Sequence, residues 1–420
     1  MLKNFLLLFL ALRAADVLNL AGGIWLVPKF VAPGELGGIL PLTSFATVLS
    51  IPLFAIAMIA LRESARLRAL HEPSRAFVRG VFAAVGIVTV LVLTVSAAIL
   101  PRYLARLHLA DPLSGGLAVG AAFLGCVSPV YLDQLQAARR FGVFGAVEFS
   151  AAALRLSAMW LLMPLRALAG YYAGGVVRTL VQILGPVVAL RADAGRDRSD
   201  AASGNAAAPY WTRAVLLRLA REFAPLVVSL ALPMIVSFAE NDLIRTSLTE
   251  ADSAGYYMAT RISDLFNAVT APLLLVMFPY VTERSARGES CAPVVRRGLA
   301  VIAAVAAAAA TAVVLRGPQL IALLPHGEGY TGYAGHLPLL VAFMAFGAAQ
   351  TVITNAEIAA GRYSFLVWFG PLNLGYLALL PRLFDEPSLG RLIAVFTGFA
   401  ALRLLFALGH RYARGWAIAY

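Results

Sequence analysis

Apolar residues run in long blocks along the chain, and short polar segments separate the blocks. Each block holds roughly 20 mostly apolar residues, which is the length an α-helix needs to cross the hydrocarbon core of a bilayer. Lipid offers the backbone no hydrogen-bond partners, so each block is expected to be a continuous helix. The pattern predicts about twelve membrane-spanning helices, near residues 5 to 30, 38 to 61, 80 to 100, 114 to 138, 143 to 164, 167 to 190, 223 to 247, 256 to 281, 298 to 315, 336 to 360, 363 to 381 and 389 to 410.

The composition is that of a membrane protein. Of the 420 residues, 60% are hydrophobic and only 13% are charged, and the mean hydropathy is +0.81. A soluble core of this size does not require so apolar a chain. We therefore expect an all-α polytopic membrane protein.

The 34 Lys and Arg residues outnumber the 22 Asp and Glu residues, and the distribution of the basic residues indicates the membrane topology. No basic patch interleaved with aromatic residues lies on a soluble domain, so a nucleic-acid partner is not expected. The basic residues concentrate in alternate connections between predicted spans, above all at 62 to 79, 191 to 221 and 284 to 297. Because positively charged loops stay in the cytoplasm, the asymmetry predicts an even number of spans with both termini in the cytoplasm.

One passage of the sequence occurs twice. In each copy a glycine follows an acidic turn, a proline lies within the apolar span, and a glutamate opens a basic loop. The copies lie roughly 220 residues apart, in the pattern of parallel repeats related by an axis along the membrane normal, and the matched residues are Gly37 and Gly255, Pro52 and Pro272, and Glu63 and Glu283. The repeat predicts two pseudo-symmetric six-helix lobes, residues 1 to 190 and 223 to 420. The prolines either allow bending during function or are static kinks.

A polar segment, residues 191 to 222, joins the two predicted lobes. Its first part, "RADAGRDRSDAASGNAAAP", is rich in small polar residues, which is typical of a flexible cytoplasmic linker. The following "YWTRAVLLRLAREF" places Trp211 and Leu219 on one helical face and Arg218 on another. This pattern predicts either an amphipathic helix on the inner leaflet or a cytosolic extension of the seventh span.

Two stretches of the chain resemble equivalent segments of polysaccharide-biosynthesis flippases, members of the multidrug/oligosaccharidyl-lipid/polysaccharide (MOP) exporter superfamily. They are "VPKFVAPGELGGILPLTSFATVLSIPLFAIAMIALRE" and "ENDLIRTSLTEADSAGYYMATRISDLFNAVTAPLLLVMFPYVTERSARG". The shared pattern is an acidic residue, a short step to Gly-Gly or Gly-Tyr, a long apolar span, and a proline before a charged loop. The resemblance implies a MATE-like V of two lobes that exchange inward-open and outward-open states.

The resemblance also implies a function. Members of the superfamily move lipid-linked sugars, or drugs in other branches, across the inner membrane. We therefore expect a flippase for an undecaprenyl-pyrophosphate-linked oligosaccharide, such as an O-antigen, capsule or exopolysaccharide unit. Such a protein works among membrane lipids, alongside a polysaccharide polymerase and glycosyltransferases. The alternative is a cation-coupled drug or metabolite exporter, which would favour an acidic or aromatic cavity over a basic one.

An anionic, hydrated substrate head requires cationic groups within the membrane, and intramembrane arginines are the expected candidates. Arg13 and Asp16 on the first span, and Arg261 and Asp264 on the eighth, each have i,i+3 spacing on one helical face. In the family that the chain resembles, these spans line the central cavity. The arginines are therefore candidates to hold phosphate or sugar, and the aspartates to orient them or to carry a coupling cation. Alternatively, each arginine extends to the headgroups or only neutralises its own aspartate.

Other charged residues lie near the predicted helix ends. Arg245, within "ENDLIR" at the outer end of the seventh span, belongs either to an extracellular gate that contacts substrate or to a solvated cap. Glu357 and Arg403 fall within about two turns of predicted cytoplasmic ends, so an interface position is expected. Glu357 is also a candidate coupling site. Protons, sodium ions and the membrane potential all remain open as driving forces.

Arg155 and Arg178 lie near the middle of the fifth and sixth spans, where a charge is most costly. Glu148 is one heptad from Arg155 and shares its helical face. The spacing favours a structural ion pair of these two residues inside the first lobe, with a place in the cavity wall as the alternative.

Little in the sequence points to catalysis or to a cofactor. The five histidines lack partners at metal-ligand spacing, Cys126 and Cys291 have no partner at metal-ligand or redox spacing, and no Walker motif is present. We expect no metal site, no cofactor and no enzymatic activity. A membrane glycosyltransferase or polymerase would need catalytic groups in an outer loop, where "HGEGYTGYAGH" offers only Glu328 between two histidines.

Overall fold

The computed structural model describes residues 2 to 69, 75 to 109, 111 to 137, 140 to 194, 211 to 287, 289 to 382 and 387 to 413. Most of these residues are helical, and none of them lies in a β-strand. The expected all-α class is confirmed. The α-helices are α1 (Leu2–Ala21), α2 (Val27–Phe30), α3 (Pro33–Leu49), α4 (Ile51–Ala69), α5 (Arg75–Arg106), α6 (Pro112–Ala137), α7 (Phe141–Leu162), α8 (Ala167–Ala194), α9 (Arg213–Ser247), α10 (Glu250–Ala286), α11 (Ala292–Ala322), α12 (Leu337–Ala359), α13 (Leu366–Leu379) and α14 (Leu389–Ala413).

Each predicted span coincides with one of these helices or with a pair of them. Within the described residues, nine helices are long and apolar enough to cross a membrane, or ten if α3 and α4 together form one span. The other two predicted spans correspond to α10 and to α13. α13 has only 14 residues. The chain is thus a multi-pass helical protein, and the count of twelve spans stays a prediction.

Two spans are interrupted where the sequence contains glycine or proline. A π-helical turn, Gly22–Leu26, joins α1 to α2, and a Cβ on Gly22 would lie 3.2 Å from the side chain of Met159. α3 and α4 meet at a bend of 55° just before Pro52, whose ring and missing N–H interrupt the helical hydrogen-bond ladder. In this structure the helix is bent at the Pro52 position.

The chain forms two compact units. The first comprises Met1–Val31 and Leu42–Met234, and the second comprises Ala32–Pro41 and Ile235–Tyr420. In the first unit α4, α5 and α6 enclose a core that contains Leu53, Phe77 and Val127. In the second, helices α10, α11, α12 and α14 enclose a core that contains Phe266 and Val295.

The segment that follows the predicted linker is attached to the first unit. Residues 195 to 210 of that linker lie outside the described residues. Trp211 stacks on Phe77 with ring centroids 5.8 Å apart and lies directly over Gly80. α9 then continues without a break to Ser247. The structure therefore has the extension of the seventh span, and not a separate amphipathic helix.

Consecutive helices from α5 to α8 of the first unit are antiparallel. At one end of this unit Arg166 forms an ion pair with Asp111 at 3.9 Å, and Gly115 packs against Leu104. At the other end the guanidinium of Arg140 donates a hydrogen bond to the carbonyl of Ala189 at 3.1 Å. This arrangement is the one that alternating basic loops require.

In the second unit the connections of α9 to α10, α11 to α12 and α13 to α14 meet at one end. A 3-10 helix, Gly327–His336, joins α11 to α12. Within it the hydroxyl of Tyr333 donates a hydrogen bond to Asp252 at 3.0 Å, and the ring of His336 contacts Gly390. The connection of α10 to α11 and the connection of α12 to α13 carry basic residues. Both lie at the opposite ends of these helices.

Candidate functional site

Helix α1 of the first unit carries the first predicted ion pair. The guanidinium of Arg13 lies 3.0 Å from the carboxylate of Asp16. Both side chains are partly exposed, at 27% and 43%. The i,i+3 spacing thus brings the two groups together as the sequence predicted, and it leaves both able to contact a further group.

The partner of Glu148 differs from the prediction. Its carboxylate lies 3.8 Å from the guanidinium of Arg178 on α8 and accepts hydrogen bonds at 2.9 and 3.1 Å from the amide of Gln182. The predicted pair of Glu148 with Arg155 is wrong. Seven residues separate these two along α7, which is a rise of about 10 Å, whereas α8 packs alongside α7 and offers a closer arginine.

The Arg155 side chain instead contacts α1. It donates a hydrogen bond to the side-chain oxygen of Asn19 at 3.0 Å and lies over the ring of Tyr171, 5.7 Å from its centroid. Its Nε atom is buried and has no hydrogen-bond partner, and the same holds for the Nε atom of Arg178. The contacts of both arginines depend on how α1, α7 and α8 pack.

These contacts form one cluster, which we call the α1–α7–α8 cluster. Asp16 interacts electrostatically with Glu148 and Arg178, and Arg155 interacts with Arg178. Among the described residues of the cluster, the charged side chains are three arginines and two carboxylates: Arg13, Arg155 and Arg178, with Asp16 and Glu148. The cluster therefore carries a net positive charge on helices that are candidate membrane spans.

The second unit contains the other predicted pair. Arg261 and Asp264 lie 2.9 Å apart on α10, and the Arg261 guanidinium is 4.9 Å from the centroid of the Tyr257 ring. The Tyr257 side chain is fully buried. Each charge of this pair is matched by its neighbour, and the ring holds the arginine in place.

A buried polar cluster of the second unit was missed by the sequence reasoning. Glu240 of α9 accepts a hydrogen bond from the hydroxyl of Tyr376 at 2.9 Å and interacts electrostatically with Arg403 of α14. The Tyr376 ring stacks on Phe399 with centroids 3.6 Å apart. Glu240 is only 4% exposed and Arg403 only 7%.

Two expected positions need correction. Glu240, the first residue of "ENDLIR", is only 4% exposed, so it does not belong to a solvated cap. Arg403 was expected at the interface, but α14 continues to Ala413, which places Arg403 about 15 Å from the end. Counting residues from the end of each helix would have shown that both residues lie away from the ends. It would not have shown which side chains they contact.

The remaining candidates lie near helix ends and are paired there. Arg245 is 3.7 Å from Glu250, and its side chain is only 2% exposed, so a solvated cap is excluded. Glu357 forms a salt bridge of 3.4 Å with Arg411, and both side chains are largely buried. Within the described residues, no group of three His, Cys, Asp or Glu side chains is placed to hold a metal ion.

No family model and no curated protein matches the chain, but solved structures match nearly its whole length. A mutant of the Vibrio cholerae MATE transporter VcmN aligns with a TM-score of 0.70 at 12% identity, covering 99% of this chain and 97% of that one. The lipid II flippase MurJ, in an inward closed conformation, aligns with a TM-score of 0.63 at 10% identity, covering 97% and 87%.

A MOP superfamily transporter from Pyrococcus furiosus, described as having a binding pocket of reverse polarity, aligns with a TM-score of 0.61 at 15% identity and covers 98% of this chain and 95% of that one. Identities this low establish a shared architecture and no more. The chain therefore has the all-helical fold of the MATE family transporters.

Proposed function

We propose that this protein is an alternating-access flippase, which moves an undecaprenyl-pyrophosphate-linked oligosaccharide across the bacterial inner membrane. The observation that carries the proposal is the net positive charge of the α1–α7–α8 cluster. A polyprenyl tail can stay in lipid during translocation, whereas the pyrophosphate and the sugar need polar partners at membrane depth. An intramembrane excess of arginine supplies such partners for an anion.

The geometry of the cluster suits a phosphate ligand. The planar guanidinium presents several N–H donors in a fixed fork, which matches phosphate oxygens. The Arg13 and Arg178 side chains keep 27% and 32% of their surface exposed, so neither is enclosed by its carboxylate. In the proposal these two arginines bind pyrophosphate, while Asp16 and Glu148 orient them.

In the second unit, Arg261 and Arg245 are proposed to contact the substrate at other stages of transport. Asp264 orients Arg261, as its 2.9 Å ion pair suggests. Asp16, Asp264 and Glu357 are the proposed sites of cation coupling. The proposed setting is the inner membrane with both termini in the cytoplasm, alongside a polysaccharide polymerase and glycosyltransferases.

A second candidate function is a cation-coupled drug or metabolite exporter. The observation that favours it is the buried group of Glu240, Tyr376 and Arg403 in the second unit. A buried carboxylate next to aromatic rings suits exchange between a cation and a lipophilic cationic substrate.

Binding in nanodiscs over a salt series tests the proposed flippase. The probe is an undecaprenyl-pyrophosphate-linked oligosaccharide, and the variants are Arg13→Gln and Arg178→Gln. Each variant removes a charged hydrogen bond to phosphate and should weaken binding about tenfold or more. Wild-type binding should weaken as salt rises, because the contact is electrostatic.

Arg166→Gln is the matched control. Arg166 is also an arginine of the first unit paired with a carboxylate, but its side chain is 67% exposed at the end of the unit. Binding should be unchanged in this variant. Equal binding by wild type, Arg13→Gln and Arg178→Gln would exclude the proposed site. If the wild type binds ethidium but no lipid-linked sugar, the exporter would take its place.

A further inference from the structure

The connection between α11 and α12 contains a three-residue repeat that the transport cycle described above does not use. Residues 329 to 337 read Gly-Tyr-Thr, Gly-Tyr-Ala, Gly-His-Leu. They lie largely in the ten-residue 3-10 helix Gly327–His336. A 3-10 helix has three residues per turn, so each column of the repeat falls on its own face of the helix.

The first face is an open column of glycines. A Cβ placed on Gly329, Gly332 or Gly335 would meet no atom within 4 Å. The glycine column relieves the crowding of eclipsed side chains that normally keeps 3-10 helices to three or four residues. It also leaves one flank of the helix clear for a ligand.

The second face is a ladder of aromatic rings, formed by Tyr330, Tyr333 and His336. The centroids of successive rings are 6.2 and 6.4 Å apart, with interplanar angles of 40° and 45°. The spacing is that of one 3-10 turn, about 6 Å. All three rings are half-buried, so each presents part of its surface outward. The remaining face packs inward, where Ala334 and Leu337 are buried.

The ladder is held rigidly by the start of α10. The Tyr333 hydroxyl donates a hydrogen bond to one oxygen of Asp252 at 3.0 Å, and the other oxygen accepts one from Thr249 at 2.8 Å. The Tyr333 ring fits only because residue 255 is glycine, since a Cβ there would lie 2.5 Å from the ring. This requirement also explains the glycine of the sequence repeat at that position.

The chemical groups on the ladder narrow the choice of ligand. Both oxygens of the Asp252 carboxylate accept hydrogen bonds, one from Tyr333 and one from Thr249, so this group supports the ladder. What remains is a row of amphipathic rings bearing the Tyr330 hydroxyl and the His336 nitrogens. Pyranose rings carry apolar C–H faces and peripheral hydroxyls, and they match this combination of aromatic surface and hydrogen-bonding groups.

We propose that the ladder of Tyr330, Tyr333 and His336 is a binding site for an extended, uncharged stretch of glycan. In the predicted topology this end of the second unit faces away from the cytoplasm, so the site would hold the sugar chain after translocation. This inference deepens the proposed flippase and rests on it for its biological role. The binding itself needs neither the lipid nor the pyrophosphate.

The test is saturation-transfer NMR on the full-length protein in nanodiscs, with lipid-free cellopentaose and chitopentaose as probes. The wild type should transfer saturation to the sugar C–H protons of at least one probe. Tyr330→Ala and His336→Ala should each weaken binding about tenfold, and Tyr330→Phe should retain it because the ring remains. Tyr412→Ala, which alters a 77% exposed tyrosine of α14, is the matched control and should bind like wild type.

The outcomes separate this site from the flippase proposal. No transfer to either probe, or transfer unchanged in both alanine variants, would overturn the ladder site even if the lipid-linked substrate binds at Arg13 and Arg178. Transfer that is lost in the alanine variants and kept in Arg13→Gln would support the ladder site even if the lipid-linked substrate does not bind.

Discussion

The buried charges of the second unit are arranged for mutual compensation. Glu240 receives a hydrogen bond from Tyr376 and the electrostatic field of Arg403. Burying a lone charge is far more costly than burying a compensated pair. The expected consequence is that these residues depend on one another for stability, so their effects should not be additive.

Replacing Arg403 with Met should destabilise the second unit by about 3 to 5 kcal/mol, because Glu240 is left as an uncompensated buried charge. The double variant Glu240→Gln with Arg403→Met removes both charges and should recover most of this loss. Thermal unfolding in detergent measures both effects. Arg382→Met changes an exposed arginine of the same unit and serves as control. Additive losses in the double variant would contradict the compensation.

Residue-scale prediction succeeded where both partners lie on one helix. Arg13 with Asp16, and Arg261 with Asp264, are ion-paired as the i,i+3 spacing implied. It failed for Glu148, because its partner Arg178 lies on another helix. Helical spacing fixes neighbours along one helix, but it carries no information about which face a second helix brings close.

Helix α5 shows how two glycines on one element differ in function. A side chain at Gly80 would overlap the ring of Trp211, whereas nothing lies within 4 Å of a Cβ at Gly86. Trp211 is the first described residue after the linker, and it packs on the core of the first unit. Gly80 therefore lets the start of α9 attach closely to α5.

Gly80→Val should detach Trp211 and lower the free energy of unfolding by about 1 to 3 kcal/mol, which is the usual cost of overpacking. Gly86→Val, on the same helix but facing open space, should stay near the wild-type value. Apparent melting temperatures and the shift of tryptophan emission report the two changes. Equal destabilisation by both substitutions would show that the loss of glycine in α5, and not the contact with Trp211, is responsible.

At the scale of the whole molecule, the basic loops and the structure agree on alternating spans within each unit. The sidedness of the membrane is a separate question, since helix packing alone does not orient a protein in a bilayer. The positive-inside asymmetry predicts that the end of the second unit holding the 3-10 helix faces away from the cytoplasm.

Cysteine labelling tests this orientation. On a background with Cys126 and Cys291 replaced, a membrane-impermeant maleimide should label Ser388→Cys in right-side-out vesicles and Glu289→Cys only in inside-out vesicles. Both positions are exposed. The side of the membrane that the reagent reaches, and not burial of the side chain, should therefore decide which position is labelled. The opposite pattern would reverse the predicted topology, and labelling of both from one side would require an even number of spans between them.

The sequence by itself determined the helical class and the positions of the helices, because hydrophobic blocks of bilayer length act locally along the chain. It also determined the ion pairs within single helices. Only the tertiary structure decided that Arg178 pairs with Glu148 and that the Tyr333 ring packs on Gly255. It also decided that Glu240 accepts a hydrogen bond from Tyr376 and interacts with Arg403. Those contacts join residues far apart in the chain, and their distances are set by how helices pack, which the periodicity of one helix does not encode.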